Sequence, residues 1–543
     1  MKKYWFVSID SDSIPEGLKD SLKNAEVEFT FFILNSNLAS PSEYSVNGNV
    51  REIRVNPDFF VNQNIPMGDF AKSSAAAANI LEKYIIDEGA PDAVEIMDHK
   101  GLAYFTLQRK KCLESVFQDS EIIVYAKEPL FVLLKEDKQP SFKLPDYWVC
   151  EMERFSYLAA DRLILSSPVL LEKLKEENLT KDAYVLAGET YAERVKILCG
   201  KRLADERCFP VVRERAKQYV DLMKNSTPDL LSIVIPYYNM GEYVEDTLKS
   251  VFDTTYASYE VIVVDDGSTD LNSVRIIEEL KEKYNFKLIK QQNQGLPSTR
   301  NNGAAQASGE FLAFLDSDDM VEPDYYGKAV RILKQYDNIG FVGCNAQYFG
   351  ERSDIWQTWN PEMPYFLCKN TMATSSLVMK KNVFMEFGLN DKNMIYGMED
   401  YEAVIRIIGS GYHGVSMPYA LFLYRVRTGS MSNRFSEGKI TYLYEKIADN
   451  NCELFKDYVS GIANILNNNG KGWDYDNPTM VNSSIHEMYQ TQLDNVIRLE
   501  KQVREYMQLS EDLEKQAAGF YKDYLTVHKL YEELKARYER EKI

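Results

Sequence analysis

Cysteine is scarce in this chain and poorly spaced for any framework. The seven cysteines among 543 residues (Cys112, Cys150, Cys199, Cys208, Cys344, Cys368 and Cys452) are odd in number and scattered, and none falls in a C-x-x-C pair. That excludes a disulfide scaffold or a zinc ribbon and suits reduced thiols. Long apolar runs are missing as well. None approaches the roughly 20 residues of a membrane-spanning helix, and the opening Met-Lys-Lys-Tyr-Trp-Phe-Val-Ser-Ile-Asp holds too short an apolar stretch for a signal peptide. Positive charge is in deficit: 63 Lys and Arg against 82 Asp and Glu leave a net charge of −19. This argues against nucleic acid or an anionic membrane as the main partner. The expected location is the cytoplasm, with peripheral contact at the inner face of the membrane left open. A hydrophobic content of 45% with 12% aromatics marks a folded chain, long enough for roughly two to four domains.

What is present is concentrated in residues 231–319. Three apolar runs each end in polar or acidic residues: Leu-Ser-Ile-Val-Ile-Pro-Tyr-Tyr-Asn (231–239), Val-Ile-Val-Val-Asp-Asp-Gly-Ser-Thr-Asp (261–270) and Phe-Leu-Ala-Phe-Leu-Asp-Ser-Asp-Asp (311–319). Short apolar runs bounded by turn residues read as buried parallel strands. Open α/β sheets bind ligands beyond the carboxyl ends of such strands. Asn239, Asp265, Asp266, Asp316, Asp318 and Asp319 should therefore gather along one edge. Carboxylates so crowded repel one another unless a cation or hydrogen-bond donors satisfy them. The expected occupant is a divalent metal holding a diphosphate.

These residues resemble the family 2 glycosyltransferases of the GT-A type. The elements, in order, are Pro236-Tyr237-Tyr238-Asn239, Asp265-Asp266-Gly267-Ser268, Asn293-Gln294-Gly295-Leu296 leading to Thr299-Arg300-Asn301-Asn302-Gly303, the D-x-D triplet Asp316-Ser317-Asp318, Gly397-Met398-Glu399-Asp400, and Tyr424-Arg425-Val426-Arg427-Thr428-Gly429-Ser430. One D-x-D alone is a weak signal; several ordered elements on expected strand ends are a strong one. The resemblance covers about 229–435. It implies a UDP-sugar donor held by Pro236, Tyr238, Asn239, Asp266, Arg300, Asp316 and Arg427. It also implies Mn²⁺ or Mg²⁺ on Asp318 and Asp316, Asp400 as general base and Glu399 beside it, with inversion at the anomeric carbon. Asp266 matches the position that accepts a hydrogen bond from the base's imide N–H, which suits uracil. For Arg300 the plainer role is a salt bridge to a site carboxylate, and for Glu399-Asp400 it is capping of a helix N-terminus. The chain departs from many relatives at Arg427, where they supply a histidine metal ligand; arginine offers no lone pair. The Gln-x-x-Arg-Trp sequence of processive synthases is absent, so transfer of one or a few sugars is expected.

The expected architecture is α/β throughout, in four parts: a Rossmann-like domain (1–225), the GT-A domain (229–435), a helical linker (436–480) and a coiled coil (485–543). In the first part, strands are expected at Tyr4 to Ile9, Val27 to Leu34, Ala93 to Met97, Ile122 to Ala126 and Arg162 to Leu165. Helices are expected near Ile14 to Asn24, Phe70 to Asp87 and Trp148 to Ala160. Alternation of the two implies a parallel, doubly wound sheet. The residues Glu95 to Gly101, Glu151 to Arg154 and Ala160 to Ser167 resemble the acceptor-side half of GT-B glycosyltransferases. The donor-side half that such enzymes need does not follow, so no second complete active site is expected. His99 after a strand end reads as an ordinary hydrogen-bonded side chain. In the tail, Leu499, Val503, Tyr506, Ser510, Leu513, Ala517, Phe520, Tyr524, Val527, Tyr531, Leu534 and Tyr538 keep a 3–4 spacing. That heptad predicts self-association, with two chains as the first expectation; the alternative is a helix packed back on its own globular part. Two functions compete: an inverting transferase acting on a surface polysaccharide, wall polymer or protein hydroxyl, and a non-catalytic oligomeric scaffold or acceptor-binding subunit of a glycosylation complex.

Overall fold

The computed structural model describes residues 2–9, 27–61, 69–179, 183–185, 206–427, 437–469 and 483–541. The helix expected near 14–24 and residues 428–430 of the closing loop lie outside them. The chain divides into two units, Met1–Asn469 and Gly470–Ile543.

The first unit contains two sheets. Eight strands form the first: β1 (Lys2–Ser8), β2 (Val27–Leu34), β3 (Ser42–Asn47), β4 (Val50–Val55), β5 (Ala93–Asp98), β6 (Glu121–Ala126), β7 (Arg162–Leu165) and β8 (Ala183–Val185). They lie in the order β3-β4-β2-β1-β5-β6-β7-β8, parallel except where β3 joins β4. Runs such as Val-Glu-Phe-Thr-Phe-Phe-Ile-Leu are buried on both faces, as parallel strands require. The Asp69–Glu88 helix puts Ala71, Ala75, Ala76, Ala77 and Ala78 in the core. These small side chains bring its backbone close to Trp5, Val7 and Phe32 of the same cluster.

The second sheet holds β9 (Thr227–Tyr237), β10 (Tyr259–Asp265), β11 (Lys287–Lys290), β12 (Gly309–Phe314), β13 (Met320–Val321), β14 (Ile339–Gly350), β15 (Ile355–Trp356), β16 (Val378–Lys380) and β17 (His413–Val426). Its order is β11-β10-β9-β12-β16-β14-β17-β13, with β15 on β14. The strands from β11 to β12 run parallel, and β16 enters antiparallel between β12 and β14. Tyr237 pairs with Asp265 and Val234 with Phe314, so the polar ends of β9, β10 and β12 share one edge.

The two sheets share one hydrophobic core. Tyr104, Phe105 and Trp148 pack on Trp359 with ring centroids 5.8, 5.9 and 5.2 Å away. Gln108 Nε2 donates to Ser416 O at 2.7 Å, and Lys328 pairs with Glu114 at 2.6 Å. Two helices, Glu437–Asn450 and Cys452–Asn469, add Leu443, Ile447 and Leu454 to a second cluster beneath the 399–409 helix. Among the described residues the second unit is a single helix, Ser483–Glu541. Among its described side chains, Leu499, Val503, Leu513, Phe520, Val527 and Leu534 are exposed.

Candidate functional site

The ends of β9 and β10 together organise the turn after β10. Asp265 Oδ1 accepts the Ser268 N–H at 2.9 Å, and Asn239 Oδ1 accepts the N–H groups of Thr269 (2.8 Å) and Asp270 (2.9 Å). Asn239 has φ 54°, a left-handed conformation that asparagine tolerates better than most residues. Pro236 is buried in β9, while Tyr238 projects with 42% exposure. Asp266 is 5% exposed and grips the loop after β11: Oδ1 accepts Gln294 N and Gln291 Nε2, both at 2.8 Å, and Oδ2 accepts Gly295 N at 2.9 Å. Gly295 then begins the Leu296–Ala305 helix. That helix lies hard against the sheet, since a Cβ on Gly303 would sit 2.3 Å from Val234 Cγ1.

One turn before Gly303, Arg300 points into the protein at 2% exposure. Its Nη2 donates to Asp316 Oδ1 at 2.6 Å and its Nη1 to Glu399 Oε1 at 2.5 Å. A planar fork suits such double recognition. Burial opposes the Arg300 charge, but Asp316, Glu399 and Asp400 push its pKa up regardless, so the guanidinium stays charged. The Arg300 salt bridge considered from sequence is thus present, and it joins two motifs at once.

The D-x-D carboxylates differ in access. Asp319 is sealed at 2% exposure, and its Oδ1 accepts Arg425 N at 2.8 Å. Burial, then the charges of Asp318 and Asp316, push its carboxyl well above the usual range. Asp316 and Asp318 keep 27% and 18% of their side chains exposed. Among the described residues, Arg300 takes only Oδ1 of Asp316, and Arg427 Nε only Oδ2 of Asp318, at 2.8 Å. Each therefore retains one carboxylate oxygen for a ligand. Arg425 and Arg427 alternate on extended chain, so both reach the Tyr243 ring, 5.1 Å from its centroid in each case. Arg425 also donates to Asp318 O at 2.8 Å and Asp246 Oδ2 at 2.9 Å.

Glu399 and Asp400 open the Glu399–Gly409 helix. Met398 before them has φ 61°, a strained conformation for methionine of the kind that clusters at functional sites. Burial raises the Glu399 carboxyl to about 7, Arg300 opposes the rise and Asp400 adds to it. Asp400 Oδ2 accepts the Thr374 hydroxyl at 3.0 Å and Oδ1 the Tyr401 N–H at 2.8 Å. Sequence reasoning gave no role to Thr374, which lies in no motif, nor to Arg425. Arg425 had a signal: its spacing of two from Arg427 on an expected strand.

No group of three or more His, Cys, Asp or Glu side chains forms a self-sufficient metal cage among the described residues. Two accessible carboxylates with one open oxygen each do fit a magnesium-like ion. Such ions take one or two protein carboxylates and complete their shell with phosphates and water.

The Glycosyl transferase family 2 model matches residues 232–385, the stretch that builds this edge. Residues 232–385 are a family 2 glycosyltransferase domain. The chain is 37% identical over 138 residues to the uncharacterized glycosyltransferase YibD of Escherichia coli (strain K12), covering 25% of this chain and 39% of that protein. It is 28% identical over 177 residues to the poly-beta-1,6-N-acetyl-D-glucosamine synthase of Staphylococcus epidermidis, covering 30% and 43%. Among solved structures, S. aureus TarS 1-349 in complex with UDP-GlcNAc matches at 20% identity and a TM-score of 0.37, over 44% of this chain and 72% of that one. The chain spans 39% of YibD, 38% of the Bacillus subtilis EpsH protein and 18% of Streptococcus pneumoniae GlyA.

Proposed function

We propose that the chain transfers a sugar from a UDP-sugar to a hydroxyl of a glycan or protein acceptor, with inversion at the anomeric carbon. The observation that supports this most is the buried Arg300 guanidinium, which ties Asp316 of the D-x-D triplet to Glu399, next to Asp400. One cation thereby fixes the donor-side acids relative to the candidate base. In this reading Asp400 takes the proton of the acceptor hydroxyl. The oxygen then attacks the anomeric carbon, and UDP leaves with the electrons of the broken bond. Asp318 and Asp316 would hold Mn²⁺ or Mg²⁺, which when bound neutralises the diphosphate. Arg427, expected from sequence to touch the diphosphate, pairs here with Asp318; in our reading it orients that ligand and turns to the diphosphate as donor binds. Asp266 would act on the base indirectly as well, by shaping the 291–295 loop.

The first sheet, read as a Rossmann-like half with its strand order reversing about β1, would recognise acceptor or partner. The exposed stripe of the Ser483–Glu541 helix would join two copies, giving avidity for a multivalent acceptor. Among the described residues no helix is long and apolar enough to cross a membrane; a cytoplasmic location is part of the proposal. The test is product analysis: full-length protein with UDP-sugars, Mn²⁺ and hydroxyl acceptors should release UDP and form a glycoside of inverted configuration. Retained configuration would remove the single-displacement mechanism.

A further inference from the structure

The chain has five tryptophans, and three of them, Trp148, Trp356 and Trp359, line one cleft of about 350 Å³ between the two sheets. Leu144 and Pro145 come from the first sheet's side; Tyr348, Arg352, Asp354 and Gln357 come from the second. The volume lies at the lower end for ligand pockets, roughly 300–1,000 Å³. Trp148 and Trp359 stack at 5.2 Å and 24°. Trp356 is half-buried on β15 and shows part of its ring. The Arg352 guanidinium lies 4.4 Å from the centroid of the Tyr348 ring and is held by Asp354 through two bonds, 2.5 and 2.6 Å. Among the described residues, nothing hydrogen-bonds the Gln357 side-chain amide.

Flat apolar faces rimmed by a few fixed polar groups suit one class of ligand. A pyranose ring offers C–H groups on its face and hydroxyls at its edge, so it stacks on an aromatic ring and hydrogen-bonds around it. The charge selects further. Arg352 is neutralised by Asp354, so the cleft favours a neutral sugar over a phosphate-bearing chain. Its position bears on the chemistry too. Trp359 N donates to Thr371 O at 2.9 Å, Asn370 Nδ2 to Thr374 Oγ1 at 3.1 Å, and Thr374 Oγ1 to Asp400 Oδ2 at 3.0 Å. On the other wall, Tyr348 packs against Tyr424 at 5.7 Å, one residue before Arg425. One short segment thus links the cleft to Asp400, and one strand links it to the D-x-D carboxylates.

We infer that this cleft is an acceptor subsite, binding a neutral pyranose of the acceptor glycan away from the reacting hydroxyl. The inference rests on the transferase reading above. It also gives the packing of the first sheet's side on the second a role: Leu144, Pro145 and Trp148 close one wall of the cleft.

The test uses full-length protein and three neutral probes: cellotetraose, chitotetraose and maltotetraose. Binding is read by intrinsic tryptophan fluorescence, and UDP release from UDP-sugars without acceptor is read separately. At least one tetrasaccharide should bind, with Trp356→Ala weakening it about tenfold, the scale of an aromatic contact residue. Trp356→Phe should restore most of the affinity, Gln357→Ala should weaken it about threefold, and UDP release should not change. Absence of binding by all three probes overturns the subsite, as does equal affinity in wild type and Trp356→Ala. Tetrasaccharide binding that depends on Trp356, without UDP release from any donor, removes the transferase reading and leaves the sugar site standing.

Discussion

Both sheets end in buried acids, and they quiet them differently. In the first sheet Asp98 ends β5 and faces Glu153 of the Asp146–Ala159 helix. Burial pushes Asp98 up to about 7; burial and then the Asp98 charge push Glu153 well above the carboxylate range. Glu153 Oε2 accepts Leu130 N at 2.7 Å, and no cation bridges the pair among the described residues; the adjacent Arg154 is turned to Glu151 at 3.1 Å. In the second sheet the guanidiniums of Arg300 and Arg427, and the backbone N–H of Arg425, touch the acids directly. Even so, Glu399 and Asp319 remain raised, by burial first and then by the neighbouring carboxylates. In the first sheet the two acids accept backbone N–H groups, of Ala103 and Leu130. In the second, Asp316 and Asp318 each keep an open oxygen beside a fixed arginine, where an added cation would find ligands.

The largest effect should break the second region. Asp318→Ala removes one of the two open carboxylates and should lower transfer by about 10³-fold, several kcal/mol of lost charge stabilisation. The thermal midpoint should stay put, which separates lost chemistry from lost fold. Asp400→Asn should slow the chemical step by about 10²–10⁴-fold while UDP binding, read by calorimetry, is kept. Loss of UDP binding instead would move Asp400 to the donor side.

Arg300→Met probes the bridge itself. It leaves Asp316 and Glu399 without their shared partner and should cost about 3–5 kcal/mol in urea unfolding. A loss below about 1 kcal/mol would mean the acids need no shared cation, like Asp98 and Glu153 in the first sheet. Asp98→Asn should act in the other direction, and only with pH. A carboxyl raised from 3.8 to about 7 holds its proton more tightly when folded. Its contribution is therefore full below the unfolded value and declines as pH rises through about 7. Asparagine lacks that decline, so the variant should match wild type near pH 4 and gain on it by pH 8. A gain at pH 4 lost by pH 8 would reverse the assignment. Smallest of all, truncation after Asn469 should leave turnover on a small acceptor unchanged and yield a monomer by light scattering.

Much of this was readable from sequence wherever information is local. Val27–Leu34 and Arg162–Leu165 are strands with the expected limits, because dense apolar runs end at polar turns. The acidic strand ends of 231–319 were legible for the same reason. Within the expected helical linker over 436–480, the described residues form two helices, Glu437–Asn450 and Cys452–Asn469. Asn451 separates them by turning its amide back to Ile447 O at 2.9 Å, a local competition with the helix ladder that periodicity does not register. β3 went unseen because Ser42–Asn47 is a short exposed edge whose alternation is only Tyr44 and Val46. Long-range pairing was the main loss. Arg300 meets Glu399 across 99 positions, and the tryptophan cleft unites residues 148 and 356. Nothing in the local pattern of either segment announces its partner.

One measurement weighs the two acidic regions against each other: Mn²⁺-dependent UDP release from a UDP-sugar by wild type, Asp318→Ala and Asp98→Asn under the same conditions. Wild type and Asp98→Asn should release UDP at similar rates, and Asp318→Ala should fall about 10³-fold. Equal release by wild type and Asp318→Ala, with loss in Asp98→Asn, would contradict the account and move the chemistry to the first sheet.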